Sequence, residues 1–326
     1  MLGVLYTLIA ATTFAINNAS VRRGVMTGTV TQVVAVSMPV GLILFVAVAL
    51  VSGQLAQIDQ LSPTSMALLA SAGVVHFVLG RYCGYRSIQA MGANLSAPVQ
   101  QWSLLVTLSL AVYFLGETLD VLKISGIALM VLGPAIAARA QRARVLSRVA
   151  TTTTKFKPKL AEGYFFGILC CICWGSSPIL VRAGLSGTGL ALAGGVVAYG
   201  AATLAVLLIL FFPVARKDAS GIRAENFKWL VWIGVTVCVS QVFMYMAMAI
   251  APVTMVQPLM RLSNVLVIVF SWFMNREYEI FDPGVIVAIG ISMIGAVALG
   301  ADTTWVIQVL EPGEGLARVL AWKWPG

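Results

Sequence analysis

Apolar residues run through this 326-residue chain in long blocks, broken by short polar segments. A hydrocarbon core about 30 Å thick is crossed by about 20 residues of helix. Each block of that length therefore predicts one spanning helix. Ten are expected, at 2–20, 30–52, 64–89, 93–115, 121–139, 163–182, 189–213, 228–250, 253–274 and 283–301. Met91-Gly92 and Ala251-Pro252 join their helices almost directly. The stretch from Arg139 to Lys159 carries seven Lys or Arg and the run "TTTT", and reads as a basic, flexible linker.

Composition supports the same solvent. Hydrophobic residues make up 60% and charged residues 10%, against roughly 25% charged in a soluble domain. The first block begins at Leu2 without a basic n-region, so it is read as a spanning helix and not as a cleavable signal. The net charge of +9 falls in short loops and the linker, which is a pattern of membrane topology and not of nucleic-acid binding. Cys170, Cys171 and Cys173 cluster without His or acidic co-ligands and are read as packing residues, so no metal is expected.

The linker separates two halves of similar length. Sliding the chain by 160 residues lays "GVLYTLIAATTFAINNASVRRG" over "GYFFGILCCICWGSSPILVRAG". It pairs Gly3 with Gly163, Arg22 with Arg182, Gly24 with Gly184, Tyr85 with Tyr245, Pro98 with Pro258, Ser103 with Ser263 and Glu117 with Glu277. Five spans per half is an odd number, so the second copy enters the membrane from the opposite side. The expectation is an all-α integral membrane protein of ten transmembrane helices, built as two inverted-topology five-helix repeats. Such repeats place a substrate site near the midplane between them.

Two stretches carry a family resemblance. "CWGSSPILVRAGL" resembles the first-helix signature of an EamA domain, a Trp-Gly followed by a small polar and a basic residue. "YFLGETLDVLKISGIALMVLGPAIA" resembles the end of such a domain, where Gly-Glu leads into a Gly-rich last helix. The chain is similar, over about residues 1–300, to the two-EamA-domain branch of the drug/metabolite transporter superfamily. The resemblance implies a ten-helix permease around a central cavity that moves small metabolites. The domains would be 1–139 (first EamA-like repeat), 140–161 (linker), 162–301 (second repeat) and 302–326 (a tail resting at the interface). The sequence departs from the pattern at Phe14-Ala15, where Trp-Gly is expected, and at Arg276-Glu277, where Gly-Glu is expected.

Candidate chemistry lies in polar residues inside the blocks. Arg81 and Arg261 fall within roughly 10 Å of the midplane, where a basic side chain costs about 2.5–3.5 kcal/mol on insertion scales. Under the 160-residue shift Arg81 lies over Gln241, and Gln101 over Arg261. Each pair of equivalent sites thus holds one Arg and one Gln. Gln257 and Asn264 share a helix face with Arg261. Gln100 accompanies Gln101, and His76 pairs with Thr236. Tyr82 and Trp102 adjoin these positions. Pro98 and Pro258 recur at equivalent points and are read as hinges. No Asp or Glu lies deep in a span. Glu117 and Glu277 sit at helix ends, where they are expected to face the interface and pair with Lys123 or Arg276.

The expected function is a secondary transporter of a small anionic or zwitterionic metabolite, such as an amino acid, organic acid or phosphate ester, working by alternating access. The substrate-binding residues would be Arg81, Arg261, Gln101, Gln241, Gln257, Asn264, His76, Trp102 and Tyr82, since Arg offers a fork of donors suited to carboxylate or phosphate. Two alternatives stay open. One is drug or cation efflux, although small multidrug exporters use a first-helix Glu where this chain has Asn17 and Asn18. The other is a non-transporting membrane sensor. No enzyme motif occurs in the spans, and no G-x-x-x-x-G-K loop is present, so no cofactor is expected. The partners would be the small-molecule substrate and the lipid bilayer of the plasma membrane, a bacterial inner membrane. No nucleic acid is expected, and a homodimer stays open. Orientation is contested. The charge bias puts both termini outside, whereas relatives are described with both termini in the cytoplasm.

Overall fold

The computed structural model describes residues 1–27, 29–91, 99, 102–129, 131–132, 159–263, 266–267, 269–270, 290–291, 294–295, 298, 303, 307 and 312–324. Pro98, Gln100, Gln101, Asn264, Arg276, Glu277 and the linker between 140 and 158 lie outside the described residues.

The apolar blocks form helices: α1 (Leu2–Thr27), α2 (Val30–Val51), α3 (Pro63–Gly73), α4 (Arg81–Met91), α5 (Ser103–Leu115), α6 (121–129), α7 (Leu160–Leu185), α8 (Ala191–Leu210), α9 (Pro213–Ala219), α10 (Ala224–Ile250), α11 (Val253–Met260) and α12 (Glu314–Ala321). A π-helical turn, Val74–Gly80, joins α3 to α4 in one continuous rod. Six described helices are long and apolar enough to cross a membrane: Leu2–Ser20, Val30–Val51, Pro63–Ser87, Ala161–Leu185, Ala191–Leu210 and Ala224–Ile250. This is an all-α, multi-pass membrane protein.

Displaced by 160 residues, Leu2–Thr27 falls on 162–187, Val30–Val51 on 190–211 and 63–91 on 223–251. These ranges coincide within two residues with α7, α8 and α10. Packing is reciprocal too. Helix α1 lies along α10, and α7 lies along the α3–α4 rod. Helix α2 packs on α8 between them.

Small residues make these approaches close. A Cβ on Gly41 would strike the Tyr199 ring, one on Gly195 would strike Phe45, and one on Gly73 would strike the Ala198 carbonyl. Phe45, Phe77, Tyr199 and Tyr245 form the aromatic centre of the core. Phe45 lies 4.9 Å from Tyr199 and 5.8 Å from Tyr245, ring centre to ring centre.

Polar ties between helix ends sort onto two faces. On the first face, Gln32 Nε2 donates to the Ser220 carbonyl (3.0 Å), Arg86 pairs with Glu162 (2.7 Å) and the Lys159 amide donates to the Ala90 carbonyl (2.9 Å). On the second, Gln54 Oε1 accepts from the Leu192 amide at 2.8 Å, capping α8. There also Arg182 Nη1 donates to the Met248 and Ala249 carbonyls, at 2.7 and 2.9 Å, closing the end of α10. Helix α1 opens on the second face, where Gly3 packs on Ala251. Its counterpart α7 opens on the first, where Ser87 Oγ donates to the Gly163 carbonyl.

Glu117 corrects an expectation. It does not pair with Lys123 at the interface. Its Oε1 and Oε2 accept the Val253 and Thr254 amides, both at 2.8 Å, and cap α11. A carboxylate there answers two orphan N–H groups and the positive end of the helix dipole. Lys123 instead lies 3.8 Å from Asp120. The tail carries a helix and a short strand. Helix α12 leads to β2 (Lys323–Trp324), which pairs antiparallel with β1 (Leu119–Asp120) just beyond Glu117.

Candidate functional site

The π turn places Arg81 at the start of α4. Its guanidinium is buried. Nη1 donates to Ser37 Oγ of α2 at 3.1 Å, and Cζ stands 5.7 Å from the Phe77 ring centre. The Tyr199 hydroxyl of α8 is buried beside it and interacts with the guanidinium, and no other described group answers it. His76 and Tyr85 lie within its electrostatic reach.

Arg261 follows the last residue of α11, where the chain turns and its amide donates to the Pro258 carbonyl (2.9 Å). Pro258 has no amide hydrogen, which weakens the helix just before this turn. Arg261 Nη2 donates to Ser103 Oγ of α5 at 2.7 Å, while its Nε is buried without a partner. Cys170 and Cys171 of α7 stand beside it. A similar tight turn precedes α5, where the Trp102 amide donates to the Val99 carbonyl at 3.0 Å. Under the shift the two breaks fall one residue apart. Interrupted helices at matching points of two halves are a recurrent setting for transporter sites.

Neither arginine forms an ion pair with a described carboxylate. Each guanidinium carries five N–H donors, more than the described hydroxyls beside it answer. Other predicted residues share this lack of partners. Gln257 is buried with Nε2 unpartnered, and Gln241 is buried with Oε1 unpartnered. The structure gathers Arg81, Ser37, Phe77 and Tyr199 in one group and Arg261, Ser103, Cys170 and Cys171 in another. No contact among the described residues joins the two arginines directly.

His76 is engaged on its own account. Its Nδ1 lies 2.6 Å from Ser177 Oγ, its ring stacks on Trp174 at 6.1 Å, and its carbonyl accepts from Trp174 Nε1 at 3.3 Å. Tyr82 and Trp102 are 52% and 61% exposed, and Tyr82 meets Phe166 edge-on. Asn17 donates Nδ2 to the Ile233 carbonyl (2.9 Å) and to Thr236 Oγ1 (3.1 Å), and ties α1 to α10.

Sequence reasoning missed Tyr199, which lies against Arg81, and Thr203 and Thr254, buried hydroxyls without a partner among the described residues. Thr254 could have been found, because it lies three residues before Gln257 on the face that carries Arg261. Tyr199 and Thr203 sit in a uniformly apolar helix and gave no signal.

A helical bundle with interrupted spans and under-satisfied arginines in its interior defines a membrane transporter as its class. The EamA-like transporter family profile matches residues 1–139 and 161–301, so the chain belongs to that family. It is thus a membrane transporter of the drug/metabolite superfamily. A solved structure titled "Crystal structure of protein" is similar in fold, with a TM-score of 0.69 at 18% identity, over 95% of this chain and 98% of that one. Comparison with curated proteins gives no match.

Proposed function

We propose that the protein is a secondary transporter of a small anionic or zwitterionic metabolite, working by alternating access in the plasma membrane, a bacterial inner membrane. The observation that carries this reading is the set of buried donors without acceptors. Gln257 Nε2 on α11 and Arg261 Nε just after it lack partners among the described residues, and neither Arg81 nor Arg261 pairs with a described carboxylate. Leaving such groups unpaired in a dry interior is costly. An anionic substrate supplies both the charge and the acceptors.

Ten spans in two inverted repeats are part of the same reading. Support comes from the 160-residue register of helix ends and from α1 and α7 opening on opposite faces. Charge bias supports placing the first face, with Arg86 and Lys159, in the cytoplasm. A lipophilic cation would meet two guanidinium groups, which disfavours drug or cation efflux.

The test is a thermal-shift screen of the purified protein against metabolites sorted by charge, with Arg81→Gln and Arg261→Gln alongside. Bound ligand raises apparent stability by mass action. Anions should stabilise the parent protein and lose that effect in the variants. Stabilisation by cations alone would overturn the reading. Counterflow of the identified ligand in vesicles separates a transporter from a sensor.

A further inference from the structure

The two buried polar groups differ in hydrogen-bonding kind. Gln257 on α11 and Arg261 in the turn that follows it are four residues apart, on one face. Their atoms unpartnered among the described residues are an amide nitrogen and a guanidinium nitrogen. Such a donor set fits an oxyanion.

The group around Arg81 is mixed. The Tyr199 hydroxyl, which can donate or accept, is buried against the Arg81 guanidinium, and its own proton has no acceptor among the described residues. Gln241 on α10 is nearby by the geometry of its helix. It stands three residues after Cys238 and four before Tyr245. The Cys238 thiol donates to the Gly41 carbonyl (3.3 Å), and the Tyr199 ring covers Gly41. Tyr245 and Tyr199 both touch Phe45. The face that carries Gln241 thus packs on the tyrosine beside Arg81, and its Oε1 is an unpartnered buried acceptor.

A neutral hydroxyl suits this second group, because it donates to Gln241 and exchanges a hydrogen bond with Tyr199. An ammonium group does not. It would lie beside a guanidinium with which no described Asp or Glu forms an ion pair. Like charges in a low-dielectric interior repel strongly.

Resting on the anionic reading above, we infer that the substrate is an oxyanion bearing a neutral hydroxyl, as in a hydroxy acid or a polyol phosphate, and not a zwitterion. Gln257 and Arg261 hold the oxyanion, while Tyr199 and Gln241 select the hydroxyl.

Matched probes test this on the purified full-length protein. 2-Hydroxypropanoate and alanine share a carboxylate and differ in hydroxyl against ammonium. 2-Hydroxyethyl phosphate and ethanolamine phosphate differ in the same way. In the pair whose oxyanion fits, the hydroxyl member should bind at least about tenfold more tightly, since polar groups built for one partner reject another. Tyr199→Phe and Gln241→Leu should bring that ratio to within about threefold while binding persists. Both variants keep the size and apolar body of the side chain, so both should fold, and melting curves check that they do. Arg261→Gln should weaken both members of the pair.

Equal or tighter binding of the ammonium member overturns the inference and leaves the anionic reading intact. Failure of all four probes to bind overturns both. A hydroxyl preference that survives both Tyr199→Phe and Gln241→Leu overturns the roles given to those residues.

Discussion

His76 and Ser177 tie the rod that contains α3 to α7, with Nδ1 and Oγ 2.6 Å apart. Displaced by 160 residues, the same two positions are Thr236 and Asn17, and these are hydrogen-bonded at 3.1 Å between α10 and α1. Each repeat therefore fastens its third helix to the other repeat's first helix at one and the same point. The residue types differ completely, yet the tie is kept. A lone histidine in a membrane span invites a reading as a ligand or proton relay. Here one ring nitrogen already has a partner.

If the tie is what His76 supplies, His76→Thr should be mild, because Thr serves at the equivalent position 236. Ser177→Ala should be worse, leaving a buried imidazole nitrogen unanswered at a cost of about 1–3 kcal/mol. Thermal denaturation of the two variants in detergent checks the order.

Glu117 should matter to ligand binding although it lies away from both arginines. It caps the helix that carries Gln257 and leads into Arg261. Glu117→Ala should cost about 1–2 kcal/mol of stability and lower anion affinity. Glu117→Gln, which keeps one acceptor, should fall between. Calorimetric titration of each variant with the anion found in the screen gives the comparison.

Arg261→Lys should not be conservative. Lysine presents a point charge and lacks the planar fork, so the Nε–H donor disappears while the charge remains. Anion affinity should fall by about tenfold or more, roughly 1.4 kcal/mol, with the melting temperature less affected than in Arg261→Gln. Binding and melting curves on the same samples report both quantities.

Close helix approach makes two glycines behave oppositely. Gly73→Ala would drive a methyl group into the Ala198 carbonyl, and overpacking of this kind costs about 1–3 kcal/mol. Gly200→Ala meets only Leu42, at 3.9 Å, and should be neutral or slightly stabilising. Apparent melting temperatures of the two variants should move apart.

Much of the architecture was readable before any coordinate. Blocks of apolar residues marked the helices, and one offset aligned Gly, Arg, Pro and Glu in both halves. Arg81 and Arg261 stood out because charge in hydrocarbon is expensive. Other features depend on what a helix meets in three dimensions. The partners of Glu117, the Val253 and Thr254 amides, lie more than a hundred residues downstream. Tyr199 looked like one more aromatic in an apolar helix until Arg81 was found beside it. The π turn at Val74–Gly80 leaves no mark in composition, and its counterpart in α10 is regular helix.

The pairing of Leu119–Asp120 with Lys323–Trp324 has an arithmetic consequence. Two strands that share hydrogen bonds lie on the same side of the bilayer, so the chain between them crosses an even number of times. Leu119 and Trp324 therefore face the same side. One bit of information, the accessibility of a tag after Trp324, then reports the side of the Glu117 cap as well.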